Sequence, residues 1–254
     1  MPNTVPRLRS GAILFLLMLG WSPTHALAEA QDPRVLLDRM QLSIAGLEAF
    51  RIDSDAYMDA RLPAGQIIEH ASQVTVGVIR PATMRLTSRS ADSTKDIYFN
   101  QGILTLHRTE EGFYGQQEIP GDIDQAVGYV IDQFGIDAPL LDFISSESAT
   151  ALLAEATQVD YFGPALIRNR LHDHIGIRMD EADIQVWISA EAPHLPGKLS
   201  ISNKWEGGAP RSVSFMSWDT DPDFPDIEIL RFDPPAGAVK IEILRDAVEE
   251  EAGR

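Results

Sequence analysis

His172 and His174 stand two residues apart in a stretch, Leu171 to Met179, that reads as a strand. That spacing points both imidazoles to one face. Two such rings can begin a metal site, with His70, His107 and His194 as further ligands to be brought up by the fold. Ile175, Ile177 and Met179 hold the alternate positions, so the pair equally fits the polar side of a half-buried sheet. Asp219, Asp221, Asp223 and Asp226 crowd one short stretch. Oxygen-rich loops of this kind can hold calcium. The sixth-position glycine and distal glutamate of an EF-hand are missing, however, and Pro222 and Pro225 make Asp-Pro turns the better account. Glu110 and Glu111 fall in a turn. The sequence has no G-x-S-x-G elbow and no phosphate-cradling glycine loop. It has no cysteine, which excludes disulfides, thiolate metal sites and cysteine nucleophiles. These residues point to a non-enzymatic protein, with no cofactor and no metal in its expected inventory.

The strongest signal is apolar. Ile123, Ala126, Val127, Val130, Ile131 and Phe134 fall on one face of a helix, with Asp122 placed to cap it and Gly135 to end it. Leu140, Leu141, Phe143 and Ile144 follow Pro139 as a short apolar turn, and Ser146 to Ala156 reads as a further helix. Such a stripe serves as core or as the wall of a hydrophobic cavity; over a curled sheet it serves as both. Val127, Val130, Ile131, Phe134, Leu140, Leu141, Phe143 and Trp187 are therefore the candidate ligand-contacting residues. Gly128, Gly135 and Pro139 are the expected points of give. Trp187, Trp205 and Trp218 are foremost sheet-packing residues, with cavity lining the minority role.

The elements that must position this stripe are strands. Asp32-Pro33 starts a helix over about 33–45, with Leu36, Leu37, Met40 and Ile44 on one face. Alternation then takes over at Phe50/Ile52, Val74/Val76/Val78, Met84/Leu86, Ile97/Phe99 and Leu104/Leu106. Breaks fall at Pro63-Ala64-Gly65, Arg80-Pro81, Asn100-Gln101-Gly102 and Glu110-Glu111-Gly112. After the helical insert, strands resume over 159–167, 171–179, 183–189, 198–205 and 212–218, with turns at Gly163-Pro164, Asp180-Glu181, 193–197 and 206–210. A last strand or extended segment is expected at 227–232, and Ile241 with Ile243 as an edge. Short links predict antiparallel neighbours. The expected fold is α+β: a single curled antiparallel β-sheet, a half-open barrel, with an N-terminal helix and a mid-chain helical lid over about 122–156. Residues 29–245 are read as one domain, and 246–254 as an acidic flexible tail.

Ahead of it, Arg7 and Arg9, the apolar run Ala12–Leu19 and Ala26-Leu27-Ala28 have the order of a secretory signal peptide over 1–28. The run falls far short of the ~20 apolar residues of a spanning helix. Export to the periplasm is the expected location. The chain carries 38 acidic against 21 basic residues, a net charge of −17. Losing Arg7 and Arg9 makes it more negative. That balance argues against nucleic acid and anionic membrane surfaces as partners. A lipid or acyl-chain ligand, or an envelope protein partner, remains, with the chain expected to be a monomer.

Several stretches resemble the bacterial family of predicted periplasmic proteins known as domain of unknown function 2092. They are Arg80-Pro81 with Met84-Arg85-Leu86, Ile97-Tyr98-Phe99-Asn100 with Leu104-Thr105-Leu106, and Gly135 to Asp142. His172-Asp173-His174-Ile175, Gln185-Val186-Trp187-Ile188, Pro196-Gly197-Lys198-Leu199 and Phe232-Asp233-Pro234-Pro235-Ala236-Gly237-Ala238 complete the set. The resemblance spans about Pro33 to Ile241. At Leu171 the chain departs from the cysteine many members carry, so no role of that thiol applies. The family resembles periplasmic lipoprotein carriers of the Lol type in fold, which implies a half-open barrel with a hydrophobic cavity for acyl chains.

Overall fold

The computed structural model describes residues 31–134, 139–146, 148–204, 211–223 and 230–243. Helix α1 (Pro33–Ala45) begins as its sequence requires. The Asp32 carboxylate accepts the Arg34 N–H at 2.9 Å, and Pro33 sits where its missing donor costs nothing. The helix stops at Gly46 without a left-handed turn, since Gly46 has φ −78°. Six strands follow as an antiparallel meander: β1 (Ala49–Arg61), β2 (Ile67–Ile79), β3 (Thr83–Arg89), β4 (Thr94–Asn100), β5 (Ile103–Arg108) and β6 (Phe113–Glu118). Three helices come next: α2 (Ile123–Phe134), α3 (Pro139–Ile144) and α4 (Ser148–Glu155). A second meander comprises β7 (Gln158–Ile167), β8 (Arg170–Arg178), β9 (Ala182–Ser189), β10 (Pro196–Asn203) and β11 (Arg211–Asp219). A two-residue strand, β12 (Val239–Lys240), ends the described elements.

All these strands belong to one sheet in the order β12-β6-β5-β4-β3-β2-β1-β11-β10-β9-β8-β7. The meanders meet where β11 lies antiparallel to β1, with Ile52 opposite Trp218 and Ala56 opposite Ser214. The sheet is open, an unclosed half-barrel of the α+β class as its sequence predicts. One feature differs. The terminal strand pairs with β6 in parallel, Val239 opposite Phe113, so the sheet is mixed. A chain arriving from the far side of the sheet, rather than through a hairpin, is free to pair in that sense.

Register divides the sheet into two faces. Phe50, Ile52, Val76, Val78, Met84, Leu86, Ile97, Phe99 and Leu104 form one set of cross-strand rows, continued by Met216, Leu199, Val186, Ile188, Ile175 and Ile177. This face packs with the buried residues of α1, α2, α3 and α4 in one continuous core. The other face carries Arg85, Asp96, Tyr98, His107, His174, Trp187 and Lys198.

Three local expectations are corrected. Gly163-Pro164 is not a turn but lies at a register shift inside β7, with Gly163 at φ +97°. β7 is the edge strand, where a proline without an N–H is tolerated. The turn is Arg168-Asn169, both left-handed at φ +48° and +63°. Leu230 to Phe232 is not a strand; residues 224–229 lie outside the described residues. The edge pairing is by Val239 and Lys240, with the Ile241 N–H continuing it to the Tyr114 carbonyl at 2.8 Å.

Candidate functional site

The helical crossover is built from its caps inward. Asp122 Oδ1 accepts the N–H groups of Asp124 and Gln125 at 3.0 and 3.3 Å, and Gln125 returns its side-chain oxygen to the Asp122 N–H at 2.7 Å. This reciprocal box fixes the start of α2. The Ile123 N–H donates to the Pro81 carbonyl at 2.9 Å, so the helix starts on the β2–β3 turn. Topology then demands a long path. β6 lies near one end of the sheet and β7 is the edge at the other, so the segment joining them must traverse a face. It takes the apolar one.

Val127, Val130, Leu140, Leu141 and Phe143 are buried and packed with the sheet residues of that face. Ile131 and Phe134 belong to α2, but their side chains lie outside the described residues, as do Gly135 and Trp205. Gly128 lies mid-helix with open space where a Cβ would stand. Trp187 is a correction. Its neighbours Val186 and Ile188 point to the helices, so strand alternation sends Trp187 to the other face, away from the α2 and α3 residues. The flanking β-branched pair carries the signal that places it there. Trp218, by contrast, faces the helices, tilted against Phe50 at 5.4 Å, with its indole N–H donating to the Pro196 carbonyl at 2.8 Å.

Sequence reasoning missed the polar tether of the crossover. Arg80, on the β2–β3 turn, donates through Nη2 to the Ile144 carbonyl at 2.7 Å and places Nη1 3.6 Å from the Asp124 carboxylate. Asp124 in turn accepts the Ser146 N–H at 3.1 Å and its hydroxyl. One arginine thus ties the start of α2 and the end of α3 to the sheet. Its only sequence sign was an Arg-Pro dipeptide between two strands. At the other end, Gln41 of α1 accepts the N–H of Thr150 at 2.9 Å and caps α4. Tyr161 of β7 donates its hydroxyl to the buried Asp173 at 2.7 Å. Burial first, and that carboxylate second, push its pKa up to about 12.

The histidine pair shares one face as its spacing requires, the face away from the helices. His172 is buried, with Nδ1 3.0 Å from the Arg170 carbonyl oxygen and its ring over Gly197. His174 meets the Gln185 amide oxygen at 3.0 Å and stacks on Trp187. Among the described residues no group of three or more His, Asp or Glu is arranged to hold a metal. Asp219 accepts the Asp221 N–H at 3.2 Å, a local turn; Asp226 lies outside the described residues.

The sequence profile of the family described as "Predicted periplasmic protein (DUF2092)" matches residues 34–244. The chain belongs to that family. No curated protein gives a significant sequence match. Among solved structures, an uncharacterized conserved protein from Thermus thermophilus is similar at TM-score 0.52 and 9% identity, over 84% of this chain and 100% of that one. That likeness shows the fold. The Mycobacterium tuberculosis lipoprotein LppX gives TM-score 0.45 and 13% identity, over 77% of this chain and 100% of that one. A LolA superfamily protein from Nitrosomonas europaea gives 0.35 and 9%, over 80% and 99%.

Proposed function

We propose that this DUF2092 protein is an exported, non-catalytic binder or carrier of a hydrophobic, lipid-like ligand held between the α2–α3 crossover and the sheet face beneath it. One observation carries the reading. The segment that must cross the sheet presents Val127, Val130, Leu140, Leu141 and Phe143 to an equally apolar face, while Arg80, Asp124 and Gln41 supply polar attachments near its ends. An apolar helical layer resting on an apolar sheet face can part from it, and an acyl chain can then take the place of the side chains that have drawn away. Export by the segment 1–28 belongs to the same reading.

A second reading has its own support. The crossover residues are buried as thoroughly as ordinary core, which favours an envelope interaction module with its interior filled by its own side chains. Native mass spectrometry of protein recovered from the periplasm separates the two, together with displacement of a fluorescent fatty acid. The carrier reading expects an adduct of lipid mass, or saturable probe uptake abolished by Val130→Asp. A bare polypeptide mass with no uptake overturns it.

A further inference from the structure

The face turned away from the helices carries a cross-strand row of its own: Phe162 of β7, His174 of β8, Trp187 of β9, Lys198 of β10 and Phe215 of β11. The His174 ring lies flat on Trp187, centroids 4.2 Å apart and planes 10° apart. The Lys198 ammonium stands 4.1 Å above the Trp187 ring and 5.1 Å from that of Phe215. Trp187 is only 7% exposed, whereas Phe162, at the row's end, is 60% exposed. Over five strands the row runs about 19 Å.

Its charge is the unusual part. In a chain of 38 acidic and 21 basic residues, Lys198 is half-buried and, among the described residues, pairs with no carboxylate. The charge bearing on it is another cation, Arg211, on the same face. Burial first, and then Arg211, hold the Lys198 pKa below the usual lysine value. The carboxylate directly across from Phe215, Asp55, is occupied by Arg168 at 2.6 Å, and that guanidinium also lies over Phe215. An ammonium is strongly hydrated, and aromatic faces replace only part of that hydration. A half-buried cation with a second cation further along the same face is therefore left short of negative charge, in a setting walled by flat apolar rings.

We propose that this row is a binding site for a small organic oxyanion, a carboxylate or phosphate monoester, whose charged group meets Lys198 while its apolar body lies on the Phe215 side, with Trp187 held between His174 and Lys198 as the buried floor. The site is independent of the crossover and of any ligand beneath it.

Titration calorimetry with benzoate, phenyl phosphate and uncharged benzyl alcohol tests this, with the Trp187 indole N–H resonance followed in parallel. One or both anions should bind about tenfold or more tightly than the alcohol and shift that resonance; which anion is preferred separates the carboxylate from the phosphate source. Lys198→Gln should weaken anion binding about tenfold without lowering the melting temperature or fatty-acid probe uptake, and Lys198→Arg should restore much of it. Equal affinity for benzoate, phenyl phosphate and benzyl alcohol, no binding by the unaltered protein, or a Lys198→Gln protein that binds like the original overturns the proposal.

Discussion

At the scale of single residues, buried polar groups are distributed by what they hold together. Tyr161 and Asp173 give a pH signature. The tyrosine's folded-state pKa of about 12 lies above the ordinary 10.0, so the stability it contributes is complete below pH 10 and is lost as pH rises toward 12. Phenolate absorbance should show one tyrosine ionising last, and Tyr161→Phe should remove that late step. His174 has the opposite sense. Burial on Trp187 is the main cause of its lowered pKa, with Lys198 adding to it against the Gln185 hydrogen bond, so its charging costs stability as pH falls through 6.5. Melting curves from pH 7.5 to 5 should fall less steeply in His174→Gln. Arg80 is the residue with widest reach. Arg80→Ala should cost about 1.5–3 kcal/mol, the scale of a lost charge-assisted hydrogen bond. Amide exchange should quicken in α2 and α3 while the central strands stay protected. Arg80→Lys should recover only part of this, because a point charge cannot span both acceptors.

At the scale of elements, the strands legible in the sequence are those with one face in the core. β2 to β5 show alternation because their inward positions are Val, Met, Leu, Ile and Phe. β6, with the sequence FYGQQE, shows none. Its inward Gly115 is covered by Ile243, brought from far along the chain, and a Cβ there would meet that side chain at 2.3 Å. No local pattern announces a contact of that range. The crossover stripe was legible because helical periodicity is local; Trp187 was misplaced because its face depends on strand phase, which the flanking Val186 and Ile188 set. The outer face of β4–β6 shows the same dependence on distance. Asp96 there is buried and accepts from Arg85 at 3.0 Å and the Thr87 hydroxyl at 2.6 Å. Phe232 closes over the neighbouring Tyr98, His107 and Tyr114 at 5.0–5.3 Å. Phe232→Ala should cost about 1–2 kcal/mol, as expected for a half-buried ring. It should also raise the accessibility of His107 to diethyl pyrocarbonate, with that of the exposed His70 unchanged.

At the scale of the whole molecule, the sheet is two meanders whose ends meet only at β1 and β11. Among the described residues, β1 is the first strand made and β11 the last long one. As the chain is made from its N-terminus, β1 to β6 can assemble early, but Phe50, Ile52 and the open hydrogen-bonding side of β1 must wait for Arg211–Asp219. An unpaired strand edge beside an apolar face is a template for intermolecular pairing. Closing so large a loop is also entropically slow. Refolding should therefore be biphasic by stopped-flow fluorescence, and substitutions along the β1–β11 seam, such as Met216→Ala, should slow the late phase selectively. A single-phase recovery insensitive to that seam would contradict this order of assembly. The vulnerable moment in this protein's life thus falls before it has any function, in the interval when its first strand has arrived and its last has not. A holdase acting on it would have one task, to shield β1.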